Sequence, residues 1–217
     1  MRSVKIHSSS ASNSLVIFLT SYGNDQQPAP GFEWINIASE ISAHKILIRD
    51  LSQHWYLGSI LDFSINYDDT IARLKHYITT NLIERIAVVG SSMGGFAAIN
   101  IGAALKADLV LAFAPQTCLN PEFLTTINDR RWQWKTREME GIGYDRRDLT
   151  EILSVDRPKE THVYFDPTLD MDKQHARRIS DYGGVILHEV EGGHLVAKVI
   201  AKAGIITQKL TTFVSIK

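Results

Sequence analysis

Three short stretches hold residue types that together can turn a hydroxyl into a nucleophile. They are Gly90-Ser91-Ser92-Met93-Gly94, the aspartates Asp166, Asp170 and Asp172, and Glu191-Gly192-Gly193-His194. A serine at its ordinary pKa attacks poorly. It needs a base within hydrogen-bond reach, usually histidine, and a carboxylate to orient that base. The first stretch fits G-x-S-x-G with Ser92 at its centre. A serine on a very tight strand-to-helix turn is lifted clear of the sheet, and its flanking glycines, Gly90 and Gly94, give the clearance that the crossing backbones require. The same turn sets the Met93 amide at a helix N-terminus, where it can donate to a developing oxyanion.

His194 follows an apolar run and two glycines and opens a helical pattern, a mobile place from which a ring can swing over the serine. His188, inside the preceding run, and His175, inside a helical pattern, read as packing or surface residues. The orienting acid comes from "FDPTLDMD". Asp166 lies directly off a strand end and is the first choice. Asp172, a natural N-cap for the following helix, and Asp170 are the alternatives. Cys118, the only cysteine, has no motif around it and reads as a small core residue.

These residues need a scaffold that brings 92, 166–172 and 194 together. Short β-branched runs alternate with segments of helical period, the pattern of a parallel sheet covered on both faces. Strands are expected at Leu15–Thr20, Lys45–Arg49, Arg85–Val89, Leu109–Ala114, His162–Phe165 and Val185–Glu189, with Ser3–His7 as a further edge. Helices are expected at Phe32–Ala43, Asp68–Thr79, Met93–Leu105, Asp172–Tyr182 and His194–Ala203. Met93–Leu105 is apolar nearly all round and should be central. Residues 120–158 exceed a normal strand–helix connection and read as a small helical insertion over one end of the sheet, well placed as a lid.

A serine on such an elbow, an acid after the next-to-last strand and a histidine after the last one resemble the α/β-hydrolase family in order and place, over essentially the whole chain. The resemblance implies a single domain over 1–217. Its fold class would be α/β, a mostly parallel sheet of about six to seven strands in a three-layer sandwich. It also implies a serine hydrolase acting on a carboxylic ester or thioester through an acyl-enzyme. An acyltransferase using the same residues and a catalytically silent binding or scaffold protein are the alternatives. The family's second oxyanion donor comes from the loop after an early strand, here "LTSYGNDQQPAPGFEW". That assigns Tyr22, with Ser21 beside it, where many members carry His-Gly. Members typically carry Gly-x-x-Asp in the acid loop, where this chain has Thr168 flanked by aspartates.

Trp55 and Tyr56 either floor a substrate pocket or pack the base of their loop. Arg130, Arg131, Trp132 and Trp134 either contact an anionic substrate or a membrane surface, or form a solvated helix with snorkelling arginines. With 23 basic against 24 acidic side chains, the chain lacks the charge of a nucleic-acid binder. No phosphate-binding loop, dinucleotide fingerprint or zincin histidine pair appears, so neither metal nor cofactor is expected and the partner is a small acyl substrate. The N-terminal apolar run, Leu15–Leu19, is too short for a signal peptide or a membrane span, which points to the cytoplasm. The sequence leaves the oligomeric state open.

Overall fold

The computed structural model describes residues 2–23 and 31–216; the stretch 24–30 of the loop quoted above lies outside them. Seven strands form one sheet: β1 (Val4–His7), β2 (Ser14–Leu19), β3 (His44–Ile48), β4 (Arg85–Ser91), β5 (Leu109–Phe113), β6 (Glu160–Phe165) and β7 (Val185–Glu189). Their order is β1-β3-β2-β4-β5-β6-β7. All neighbours are parallel except β1, which runs antiparallel to β3 with Val4 opposite Ile48.

Strand alternation divides the core. Leu15, Ile17 and Leu19 of β2 enter one hydrophobic cluster, whereas Val16 and Phe18 enter the other. The first cluster is closed by α2 (Tyr67–Thr80), α3 (Met93–Leu105), α6 (Leu149–Val155) and α7 (Asp170–Arg178). The second is closed by α1 (Ile35–Glu40), α8 (Val196–Lys202) and α9 (Ile205–Ser215). Helices on both faces of a mostly parallel sheet make three layers, as expected. Every residue of α3 but Ala104 is buried, in keeping with its all-round apolar sequence.

Several boundaries differ from expectation for local reasons. The first helix spans only Ile35–Glu40, because Ile41 is already extended and leads into β3. The helix α9 was not anticipated. Gly204 turns the chain in the left-handed region (φ +73°), and Ile206, Leu210 and Phe213 then bury one stripe against the sheet. The helix after β6 starts two residues early, with Leu169 at its N-cap. Asp172 therefore lies within the first turn instead of capping it.

Between β5 and β6 the chain forms α4 (Pro121–Thr126), α5 (Gln133–Ile142) and α6. Leu149, Ile152 and Leu153 of α6 join the core beside α3, so α4 and α5 form the part that leaves the layers, with Met139 of α5 reaching back into the same core. The chain departs from β2 toward β3 and from β4 toward β5, in opposite directions. The crevice opened by that divergence lies at the carboxyl ends of β2 and β4.

The β4–α3 turn is sterically saturated. A Cβ on Gly90 would lie 2.0 Å from the Gly94 carbonyl oxygen, and one on Gly94 would lie 2.5 Å from that of Leu19. Both obstacles are backbone, which cannot rotate away. Gly90→Ala should therefore cost about 3 kcal/mol or more in denaturant unfolding. Gly141→Ala in α5, where a Cβ meets nothing within 4 Å, should be neutral or slightly stabilising. Equal midpoints for the two variants would contradict this packing.

Candidate active site

Ser92 sits between β4 and α3 at φ +52°, ψ −117°, a region that non-glycine residues rarely occupy. Strain of this kind persists only where the surroundings over-determine it. Here the Ser92 N–H donates to the Phe113 carbonyl of β5 (2.8 Å), and the Ser92 carbonyl accepts from Phe96 N–H (3.0 Å). With its own N–H committed to β5, Ser92 leaves the Met93 N–H as the first donor heading α3.

His194 lies in a single 3-10 turn, Gly193–Leu195, just after β7. Its Nε2 is 2.9 Å from Ser92 Oγ, and its Nδ1 is 2.7 Å from Asp172 Oδ2. Asp172 is almost wholly buried. Burial works against its charge, but the hydrogen bond from His194 and the neighbouring Arg131 outweigh it and hold the carboxyl below its usual range.

Asp166, the first choice for the acid, does not reach His194. Its Oδ2 accepts from the Gly192 and Gly193 amides (2.9 and 2.7 Å). Its Oδ1 accepts from the Thr168 hydroxyl (2.6 Å) and amide (2.8 Å). Coming directly off β6, the carboxylate lies level with the glycine turn of the adjacent β7 loop and ties it down. One turn into α7 is what brings Asp172 under the imidazole. Asp170, the other alternative, is exposed at the start of α7, 3.4 Å from Gln174 Nε2.

One neighbour, Gln116, has no part assigned from the sequence, and another, Arg131, takes a part different from either one expected. Gln116, just beyond β5, places Nε2 3.3 Å from Ser92 Oγ and Oε1 3.1 Å from Trp55 Nε1. An indole N–H can only donate, so Oε1 must face Trp55 and the amide nitrogen must face the serine. Arg131 is neither a ligand contact nor a snorkelling surface arginine: it is about four-fifths buried and ion-paired. Its Nη1 lies 2.7 Å from Asp172 Oδ1 and 3.1 Å from His194 Nδ1, and its Nη2 and Nε donate to Asp129 (2.6 and 2.9 Å). No local motif announces Gln116, whose contacts are remote, or Asp129, which pairs with nearby Arg131 and with remote His175.

The other candidates separate by burial. The Tyr22 ring packs on Trp132 (centroids 4.2 Å apart) and on Trp55 (5.6 Å), and Trp55 is itself buried, with its indole N–H on Gln116. Ser21 donates its N–H to Glu33 Oε2 (2.9 Å). Tyr56 floors no pocket: it is wholly buried, and its hydroxyl faces the Thr20 and Ile48 carbonyls. Trp55 and Tyr56 both have positive φ, held by a loop whose amides converge on the Asp50 carboxylate. Arg130 and Trp134 face solvent. Cys118 is buried beside Asp148, and burial pushes its thiol up to about 11, which leaves it unreactive. A groove of about 450 Å³, lined by Ile6, Phe63 and Tyr77 among others, lies away from Ser92 between β1 and α2.

Asp166 carries a pH signature. The Thr168 hydroxyl and the Gly192 and Gly193 amides hold its carboxyl far below the usual range. A group depressed in the folded state contributes stability above its unfolded pKa, about 3.9, and loses it as pH falls. The melting temperature of Asp166→Asn should therefore start lower at neutral pH and fall less than the wild type below about pH 4. Parallel curves for the two proteins would refute this role.

No protein-family model matches the chain, and no curated protein does. Solved structures do. The capsule O-acetyltransferase of Neisseria meningitidis serogroup A superposes with a TM-score of 0.68 at 14% identity, over 96% of this chain and 92% of that one. A fluorophosphonate-binding serine hydrolase of Staphylococcus aureus gives 0.63 at 15%, over 93% and 84%. A chain of the glycosylation associate protein complex of Streptococcus agalactiae also gives 0.63, at 14%, over 95% of this chain but only 43% of its own length. Among the described residues no helix is long and apolar enough to cross a membrane. With its strand order, its elbow and these neighbours, the chain has the α/β-hydrolase fold.

Proposed function

We propose that this chain is a serine hydrolase that cleaves a carboxylic ester or thioester through an acyl-enzyme. One observation carries the reading: the unbroken relay from Asp172 Oδ2 to His194 Nδ1 and from His194 Nε2 to Ser92 Oγ, ending at the head of α3. Asp172 accepts from Nδ1–H and so selects the tautomer whose Nε2 is free to take a proton. As Ser92 Oγ bonds to the acyl carbon, its proton passes to Nε2. The carbonyl electron pair moves onto oxygen, where the Met93 N–H and, by its place after β2, the Tyr22 N–H receive it. Collapse of this intermediate expels the alcohol or thiol, which takes the proton from Nε2. Water then attacks the acyl-enzyme by the same sequence in reverse and frees Ser92.

Gln116 gives the hydroxyl a direction. Its amide donates into one lone pair of Oγ, which leaves the hydroxyl proton to point at His194. The α4–α5 segment, with Trp132 packed on Tyr22 and Trp55, acts as the lid over the acyl site. A second reading keeps every residue and passes the acyl group to an acceptor hydroxyl in place of water. The likeness to a capsule O-acetyltransferase favours weighing it.

A fluorophosphonate should label the wild-type protein, and Ser92→Ala should abolish the label. No label beside a reacting control hydrolase would leave a silent binding protein on this fold. On an activated ester, Asp172→Asn should lose about 10^4-fold in kcat, as an orienting aspartate does elsewhere. Asp166→Asn should lose about tenfold or less. The reverse order would move the acid back to Asp166. Product analysis with alcohols added at increasing concentration separates hydrolysis from transfer: a hydrolase yields free acid throughout, a transferase mainly new ester.

A further inference from the structure

The lid is bound to the site by charge. Asp129 and Arg131 lie in the turn between α4 and α5, on the segment that leaves the layers. Their partners Asp172 and His175 lie one turn apart on α7. The Thr117 N–H donates to His175 Nδ1 (2.9 Å), so the ring's remaining proton sits on Nε2, which faces Asp129 Oδ2 at 3.3 Å. His175 is fully buried, and burial keeps it neutral. Arg131 is thus gripped by two carboxylates while one of its nitrogens touches the imidazole edge that faces Asp172.

We infer that Arg131 is a positioning residue of this site: it holds Asp172 in the orientation His194 needs, Asp129 balances its charge, and the relay is complete only while the α4–α5 turn is seated on α7. The inference rests on the hydrolase reading above. A lone guanidinium beside the imidazole would oppose the imidazolium formed when Ser92 gives up its proton. The second carboxylate removes that penalty. At rest the two aspartates and one arginine carry one net negative charge, and the imidazolium neutralises it. Arg131 also occupies Asp172 Oδ1, so that Oδ2 is the oxygen presented to Nδ1. The remaining groups at His194 are Ser92 from the elbow and Asp166 through the glycine turn amides, while Glu191, earlier in the same loop, is exposed.

Shifts of opposite sign in the pH profile test this. Loss of the positive charge in Arg131→Met leaves both carboxylates facing the imidazole. The acidic limb of kcat/KM should then move to higher pH, by about half a unit or more. Asp129→Asn leaves the guanidinium uncompensated, and the limb should move to lower pH by a similar amount, about half a unit. Arg131→Met should also lower kcat about tenfold or more on a small activated ester while KM changes little, and Arg131→Lys should return the limb toward the wild-type position. If Arg131→Met fails to fold, Asp129→Asn decides alone: a limb moved down supports the inference, and an unmoved one overturns it. Limbs that stay in place in both variants while only the melting temperature falls reduce the cluster to a structural clasp. Wild-type protein that takes no fluorophosphonate overturns the hydrolase reading itself. Wild-type and Arg131→Met proteins labelled at equal rates overturn only the inference.

Discussion

Everything at this site depends on how closely α3 approaches the turn that follows β4. The Gly90 and Gly94 backbones pass at a distance no side chain tolerates, and Gly94 is pressed in turn against the end of β2. That contact forces Ser92 into a left-handed conformation and fixes its hydroxyl above the strand ends. The same approach sets the head of α3 next to the β2 loop, so the proposed nucleophile and the proposed oxyanion donors would come from one compact joint. The sheet order does the rest. Because the chain diverges on leaving β2 and β4, the crevice over Ser92 is left open for the loops after β5, β6 and β7.

Those loops divide the work in an instructive way. The loop after β5 supplies Gln116 and then the lid, which brings Arg131. The β6 exit supplies two aspartates with different tasks. Asp166 takes backbone amides and has no lone pair left in a useful direction, whereas Asp172 is carried by the first turn of α7 to the imidazole. Both carboxyls are held ionised, one chiefly by amides and a hydroxyl, the other by a histidine and an arginine. A depressed pKa alone would therefore not have told them apart. Geometry does.

The legible part of the sequence was local. Glycines flanking Ser92, an apolar run before it and another after it dictate the elbow from neighbouring residues alone. Gly192-Gly193 before His194 works the same way. The near-uniform apolarity of α3 gave its central place. The stripe of Ile206, Leu210 and Phe213 behind Gly204 was equally local and was there to be read, although α9 was missed. What stayed hidden depends on distances between remote segments. The choice between Asp166 and Asp172 turns on where α7 begins, a shift of two residues that local propensity does not resolve. Gln116 acquires meaning only from Trp55 and Ser92, and the local Asp129–Arg131 pair only from Asp172, His175 and His194 far along the chain.

The anchoring of the glycine turn by Asp166 has a mechanical side. The carboxylate joins the arm that carries His194 to the root of β6, and α7, which carries Asp172, grows from the same root a few residues later. The imidazole and its carboxylate partner thus share one foundation, while Ser92 stands on another, the β4–α3 joint. When the two foundations shift against each other, the gap that changes first is the one between imidazole and serine hydroxyl, and the bond between imidazole and carboxylate is spared. The proposed acyl transfer would use that compliance, because the ring would have to hand its proton to a leaving group slightly displaced from the oxygen it came from.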